Sequence, residues 1–505
     1  MSGINIRLVF LIMLMLASFP KVIGGAVDGS SPIIISSRTD GEAIIAHGYV
    51  YVKSLKKPFI LRVPLNESEK TWGHVFDLEG YGVLYSSTTL HDRSLIAVGY
   101  TYTQENGFDI IALRVNREGK VSWAYALGGK GDDLGVDILL VDNEALIVGY
   151  SRSFGFGSFN DWNIIMLKID LSGNLVRSWV LGTEAYDDFV KGVYRTSNGE
   201  LLLFGETWSY NVSMSDVLLV KMNSDMEVLW SKSMGGSSRE EALATVESGE
   251  GGFIVVGVSE SLPFGGTDGF FLKVDEGGWL EYVRGVGWDG GDGLIDVYSL
   301  GDSYILLGYT SLRREETDLL FLEVSREGNL NSTYVLVREG FESPHSIKLL
   351  NNRLIVTSRF SDDGEGGLTV TKISKGWNSA TATLISKGKP SHTDLGLLKV
   401  SSINSHIAQT SWSCRTQNLF KRPVEVSSSP ITTESLLIPF NTQNVKVEVG
   451  EYIEKTDWLG IIMDILESNV PLLIMAIPFL TLLLAFALLK LHKLFMKSSV
   501  KKAQS

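Results

Sequence analysis

A single cysteine, Cys414, stands in 505 residues, so no disulfide can close within the chain. Its stability must come from burial and backbone pairing rather than from covalent staples. Histidine is also scarce and scattered: His47, His74, His91, His345, His392, His406 and His492 include no i, i+4 pair, and no cysteine cluster accompanies them. A zinc site has no ligand set to rest on. No Gly-x-Ser-x-Gly elbow occurs, and the Gly155-Phe156-Gly157 stretch lies between strand-like segments rather than ahead of a helix. Neither a hydrolase nucleophile nor a phosphate cradle is therefore legible. The Asp-x-Asp-x-Asp-Gly spacing of a calcium loop is missing; Asp362-Asp363-Gly364-Glu365 comes nearest and reads as a solvated hairpin tip. The motifs name no catalytic residue, metal or cofactor. A net charge of −13 leaves the chain short of positive charge. Seven of the 45 lysines and arginines sit at the ends, as Arg7 and Lys21 and as Lys490, Lys493, Lys497, Lys501 and Lys502, with no acid among them, so the body is more acidic still. Such a surface repels nucleic acid.

What the chain has is glycine, 52 of them, and a repeat. Aligning on the residue that closes an apolar strand gives Arg62, Arg114, Lys168, Lys221, Lys273, Glu323 and Lys372, a period close to 50. Two residues after each anchor comes a turn former (Pro64, Asn116, Asp170, Asn223, Asp275, Ser325, Ser374), and four copies place a glycine three further on. That is the chemistry of a tight hairpin with positive φ at its last position. An earlier strand ends at Gly48, Gly99, Gly149, Gly205, Gly257 and Gly308. Both strands are apolar without alternation, so both faces are buried. Four strands per unit and no helical periodicity predict an all-β propeller of about seven four-stranded blades, the ring removing exposed ends. The first blade begins at Pro32 to Ser37 and the seventh ends near Ser386; Leu395 to Ser402 and Ile407 to Ser413 either complete closure or open an eighth.

The order Gly-Gly, carboxylates, strand, Gly-Tyr-Thr/Ser, Gly-rich loop, Asp, strand, Lys-x-Asp-x-x-Gly and Trp, seen in Gly99 to Gly129 and Gly149 to Gly182, resembles the β-propeller repeat of archaeal and bacterial cell-surface proteins. The likeness spans roughly residues 33 to 390 and implies a fold more than a function. Quinoprotein propellers resemble the chain more loosely, through a Trp after an Asp-bearing turn: Trp123 and Trp230 share that register, Trp72 and Trp179 are offset, and Trp279 and Trp377 come earlier.

The ends predict a location. Arg7, the apolar Leu8 to Ala17 and the small residues Gly24 to Ala26 read as a signal peptide over 1–25. The propeller ectodomain would occupy 26–404, a polar spacer or irregular β extension 405–450, and a juxtamembrane segment 451–469. Val470 to Leu489 carries no charge over 20 residues, enough to span a bilayer as a helix, with the basic tail 490–505 behind it. The positive-inside rule then puts the tail in the cytoplasm and the propeller outside, a single-pass type I arrangement. Asn444 to Val449 alternates like a strand that pairs outside the ring.

Three sequons, at Asn66, Asn211 and Asn331, fall in expected loops and are glycosylation candidates. Carboxylates recur where one unit leads to the next: Asp132, Asp133, Asp187, Asp188, Glu240, Glu241, Asp289, Asp292 and Glu342. They form either an acidic collar for a cation or basic ligand, or a set of turn caps accepting backbone N–H groups. The reading is a membrane-anchored extracellular module for binding, adhesion or structure, with an envelope protein or glycan as partner. The alternatives are an extracellular enzyme, quinoprotein-like or acting on polysaccharide, and an ectodomain subunit of a larger membrane complex.

Overall fold

Each repeat folds into four antiparallel strands joined in sequence, and this happens seven times. The computed structural model describes residues 32–385, apart from 67–68, 70, 79, 105–106, 156–160, 183–185, 209–213, 263, 265, 289, 312–315, 337–339, 363–364 and 375–379, and six short strands between 400 and 445. Blade one is β1–β4 (Ile33–Thr39, Ala43–Val52, Leu55–Pro64, Trp72–Leu78) and blade two β5–β8 (Tyr81–Thr89, Leu95–Thr103, Gly107–Val115, Val121–Gly128). Blade three is β9–β12 (Asp133–Val141, Glu144–Ser151, Asn163–Asp170, Leu175–Gly182) and blade four β13–β16 (Asp188–Arg195, Leu201–Thr207, Asp216–Met222, Val228–Gly235). Blade five is β17–β20 (Glu240–Glu247, Phe253–Ser259, Asp268–Val274, Leu280–Val286) and blade six β21–β24 (Asp292–Ser299, Ser303–Thr310, Asp318–Ser325, Leu330–Leu336). Blade seven, β25–β28 (Phe341–Leu350, Arg353–Asp362, Glu365–Ser374, Ala380–Ile385), packs its inner strand against β1 and closes the ring. First strands touch first strands all the way round, so they line the axis.

The repeated glycine before Tyr has a backbone cause. Every first strand carries a β-bulge, whose extra residue is Ile35, Tyr85, Val136, Lys191, Leu243, Ile295 or His345. The bulge pushes a carbonyl of the first strand onto the second, where a Cβ at Gly48, Gly99, Gly149, Gly205, Gly257 or Gly308 would overlap it. Only hydrogen fits there. Blade seven departs from the rule with Ser358, whose Oγ donates to Glu342 at 2.7 Å.

Turn chemistry closes the outer hairpins. Asp170 Oδ1 accepts the N–H groups of Ser172 (2.9 Å) and Asn174 (2.8 Å), and Asn116, Asn223 and Asp275 do the same in their own turns. Gly119, Gly173, Gly278 and Gly328 have φ of 77–85°, and in blade four Met226 takes that conformation with φ 66°. The anchor cations find acids: Lys168 pairs with Glu144 at 2.8 Å, Lys221 with Glu200 at 2.9 Å, and Arg114 with Asp92 at 2.6 Å.

Neighbouring blades share their cores. Leu146, Ile164 and Leu181 of blade three bury against Val190, Leu203 and Leu218 of blade four, and Ile44, Phe59 and Leu61 of blade one against Ile355, Leu368 and Val370 of blade seven. Each such side chain contributes about 1.5–3 kcal/mol on burial, so the ring is held by apolar seams at every junction. An aromatic on the outer strand adds a polar contact to each of several seams. Trp123 Nε1 donates to the Leu171 carbonyl (3.1 Å), Trp230 Nε1 to that of Glu276 (2.9 Å), and Tyr282 Oη to that of Arg326 (3.1 Å), each on the turn of the following blade. Strand pairing sets Trp72 opposite Arg62 just as Trp123 stands opposite Arg114, so Trp72 shares the register from which the sequence had offset it. A longer loop before β4 produced the apparent offset.

Past blade seven the chain runs backwards around the ring. Strands β29 (Val400–Ser402), β30 (His406–Gln409), β31 (Ser413–Thr416), β32 (Phe420–Pro423) and β33 (Val426–Ile431) add a fifth, outermost strand to blades five, four, three, two and one in that order. β34 (Asn444–Val445) then joins blade seven. Among the described residues no eighth blade forms: the described strands of the segments that resembled its opening are outer edges of blades five and four. Asn444–Val445 pairs with Ala380 and Thr381 of the ring, not with something outside it. Among the described residues, blade six keeps four strands.

Residues 1–25, 451–469, 470–489 and 490–505, read above as signal peptide, juxtamembrane segment, membrane span and tail, lie outside the described residues. Among the described residues no helix is long and apolar enough to cross a membrane.

Candidate functional site

Five junctions share the parts of one clamp. The acid that begins a first strand donates its backbone N–H to the carbonyl just before the third strand of the preceding blade: Asp188 to Trp162 (2.9 Å), Glu240 to Ser215 (2.8 Å), Asp292 to Thr267 (2.7 Å) and Glu342 to Thr317 (2.9 Å). Its carboxylate accepts the N–H that follows the outer strand, as Asp133 does from Gly129 (2.7 Å), Glu240 from Gly236 (2.6 Å) and Asp292 from Trp288 (2.7 Å). A hydroxyl at the end of the second strand completes it: Ser153 to Asp133 (2.6 Å), Thr207 to Asp188 (2.6 Å), Ser259 to Glu240 (2.7 Å). Asp133, Asp188, Glu240, Asp292 and Glu342 are all buried, each in its own junction. Asp132 and Asp187 are half-buried and accept the backbone N–H groups of Phe108 (3.4 Å) and Trp162 (2.8 Å). The described acids are thus brought to corresponding positions around the ring but not together, and among the described residues no group of three or more His, Cys, Asp or Glu could hold a metal. Asp289 lies outside the described residues.

Glu241 is different. It belongs to a set that breaks the repeat. The residue after the anchor glycine is Tyr49, Tyr100, Tyr150 and Tyr309 in four blades, but Glu206 in blade four, and the bulge residue beside it is Lys191. Lys191 Nζ lies 2.5 Å from Glu241 and 3.5 Å from Glu206; Arg239 reaches Glu206 at 3.3 Å and Glu241 at 2.5 Å; Ser215 donates to Glu206 at 2.8 Å. Two cations and two carboxylates interlock where blades four and five meet the axis. Burial alone would raise the Glu206 pKa, yet Lys191 and Arg239 outweigh it and hold the carboxyl below its usual range. Burial works against Lys191 and Arg239 as well, and the two glutamates override it and raise both.

Tyrosines continue the lining. Tyr85 and Tyr100 pack with ring centroids 5.8 Å apart, and Tyr150 meets Trp162 and Phe189 edge-on at 5.1 and 5.2 Å. Burial first, then Glu206 and Tyr100, raises the Tyr150 pKa; burial, then Asp292 and Glu241, pushes Tyr309 up to about 12. Both phenols stay neutral donors. Across the axis Arg38 reaches Asp137 at 2.9 Å, and Ser86 donates to the same oxygen at 2.7 Å. None of Lys191, Glu206, Arg239, Arg38 or Asp137 stands out by motif; the signal was Gly205-Glu206, the first interruption of Gly-Tyr.

Of the sequons, Asn66 is exposed in a bend. Asn331 is exposed on β24, the edge strand of blade six, rather than in a loop. Asn211 lies outside the described residues.

No protein-family model matches the chain, and no curated protein matches it. Among solved structures, a subtype N10 neuraminidase-like protein of a little yellow-shouldered bat isolate from Guatemala is similar over 59% of this chain and 95% of its own, with 9% identity and a TM-score of 0.34. Sqt1 of Chaetomium thermophilum is similar over 70% of this chain and 93% of its own, with 10% identity and a TM-score of 0.37. The seven sheets, each built on four consecutive antiparallel strands, themselves make the chain a β-propeller.

Proposed function

We propose that the chain is a binding module displayed on the cell surface, anchored by residues 470–489, with its ligand, a glycan of the envelope, held where blades four and five meet the axis. The observation that carries this is the break in symmetry. In a ring of repeats, residues that build the ring recur, whereas Lys191, Glu206, Arg239 and Glu241 occur once and face the axis side by side. Their charges cancel, which suits a neutral, hydroxyl-rich ligand, and nearby tyrosines hold neutral phenols. Binding is favoured over acid–base catalysis because Glu206 is held ionised by two cations, so it makes a poor proton donor near neutral pH. The alternation of signal-like leader, ring and apolar stretch supports the surface location.

The test uses the full chain in detergent against a panel of envelope glycans. Retention of a glycan that is lost in Lys191→Ala and kept in Lys53→Ala supports the reading; equal binding by both variants sinks it. Deleting residues 470–489 should release the protein from the membrane pellet.

A further inference from the structure

The clamps contain a second carboxyl that the junction geometry leaves unexplained. At the blade five to six junction, Asp268 begins the third strand and Asp292 the next first strand, on either side of the Asp292 N–H to Thr267 carbonyl bond of 2.7 Å. Both side chains are fully buried. Asp292 accepts from Trp288 through Oδ2, with the Thr310 hydroxyl and the Ser311 N–H beside it, and Asp268 has the Phe264 N–H nearby, yet no well-formed hydrogen bond reaches Asp292 Oδ1 or either oxygen of Asp268. Asp268 Oδ1 lies against the Cα of Gly287, where a Cβ would overlap it, so the space is closed. Two ionised carboxylates enclosed in this way would repel each other without solvent to screen them.

The other junctions repeat the arrangement. Asp109 and Asp133 hold the same two positions between blades two and three, and the oxygens of both converge on Gly128. Asp216 and Glu240 converge on Gly235 in the same way. Between blades three and four the first position is Asn163, beside Gly182 and facing the junction of Asp188. An amide has the shape of a neutral carboxylic acid and cannot ionise. One repeat thus carries a permanently neutral group where the others carry a carboxyl.

We propose that Asp268 and Asp292 share one proton, with Asp268 as the neutral partner donating its O–H across the junction, and that Asp109 and Asp133 form a second such pair. The proton takes the place of a cation: it removes one charge and turns an orphaned acceptor into a donor. Burial, then the Asp292 charge, raises the Asp268 pKa to about 7, and burial with Asp109 among the causes raises that of Asp133 to about 6. The groups facing the first pair are Tyr309, itself a neutral phenol, the Thr310 hydroxyl and the N–H groups of Trp288 and Ser311 on Asp292, and the N–H of Phe264 on Asp268; no cation acts on it among the described residues. Each pair is therefore a proton-dependent latch between blades, formed in acid and weakened as the pH rises.

The experiment is thermal unfolding and infrared spectroscopy of the full chain in detergent, below and above pH 7, as wild type, Asp268→Asn and Asp292→Asn. The wild type should show a stronger protonated-carboxyl C=O band than Asp268→Asn, which keeps only the band of the Asp109 and Asp133 pair, and its Tm should fall more steeply than that of Asp268→Asn as the pH passes 7. Asp292→Asn, which loses the charged acceptor, should unfold at lower temperature at every pH. The proposal is overturned if the band is the same in wild type and Asp268→Asn, or if calcium binds stoichiometrically to the wild type, raises its Tm and fails to do so in Asp268→Asn. Infrared measurement on the wild type alone, with its band absent below pH 7, would also overturn it, even should both variants fail to fold.

Discussion

His47 Nε2 and Ser87 Oγ lie 2.7 Å apart, binding blade one to blade two in a place no water reaches. On the other side of blade one, Ser37 Oγ meets His345 Nδ1 of blade seven at 2.9 Å. The seam where the ring begins and ends is therefore sewn with neutral imidazoles. Burial, followed by the charge of Arg38, lowers the His47 pKa to about 3; burial and Arg359 do the same for His345. In the unfolded chain each would titrate near 6.5. Between those values the unfolded state binds more protons than the folded one, so stability is lost as the pH falls below about 6.5. The buried aspartates act in the opposite sense, since Asp268 and Asp133 favour the folded state in acid. His47→Gln keeps a hydrogen-bonding amide and removes the titration. Lowering the pH from 7 to about 4.5 should cost the wild type roughly 2 kcal/mol more than the variant, as read from denaturant midpoints at the two pH values. Equal losses would show that His47 is protonated in the folded state.

A methyl group at Gly205 should be among the most costly small changes in the molecule. The Phe189 carbonyl occupies the site of its Cβ, and the bulge at Lys191 leaves the inner strand no room to withdraw without breaking the axial ion pairs. Gly205→Ala is expected to destabilise by about 3 kcal/mol. Gly301→Ala meets no atom within 4 Å and suffers only its positive φ of 92°, for about 1 kcal/mol. Chemical denaturation of both variants checks the order.

Tyr282→Phe tests the blade-to-turn contacts. The ring would stay packed against Gly328 while the bond from its hydroxyl to the Arg326 carbonyl disappears. A loss of about 1 kcal/mol is expected, with faster hydrogen exchange in the turn from Ser325 to Gly328. An unchanged turn would mean that packing alone holds blades five and six together.

Much of this was written in the repeat. The anchor glycines, the Asx turns and the apolar third strands are each dictated by local backbone chemistry, so they recur with the period and can be counted. The acids of the clamps were legible as positions but not as pairs: Asp268 and Asp292 are 24 residues apart, and only closure of blade five against blade six brings them together. The Lys191, Glu206, Arg239 and Glu241 cluster was hidden for the opposite reason, being made of residues that follow no period. The reversed outer strands were the least legible. They are 2–6 residues long and earn their place from the edges they meet rather than from any pattern of their own.

Those outer strands make the last prediction. An open blade presents a row of unpaired N–H and C=O groups along its outermost strand, which other chains can extend. In blades one to five and seven that row is taken by the returning chain, for example Leu181 of β12 with Cys414 and Met234 of β16 with Ile407. A chain ending at residue 399 keeps all seven blades and their apolar seams but uncovers six edges. It should retain slow hydrogen exchange in the inner strands, lose protection in β4, β8, β12, β16, β20 and β28, and self-associate with rising concentration in light scattering. If β12 and β16 stayed protected and the shortened chain remained monodisperse, the returning strands would not be what shields the edges.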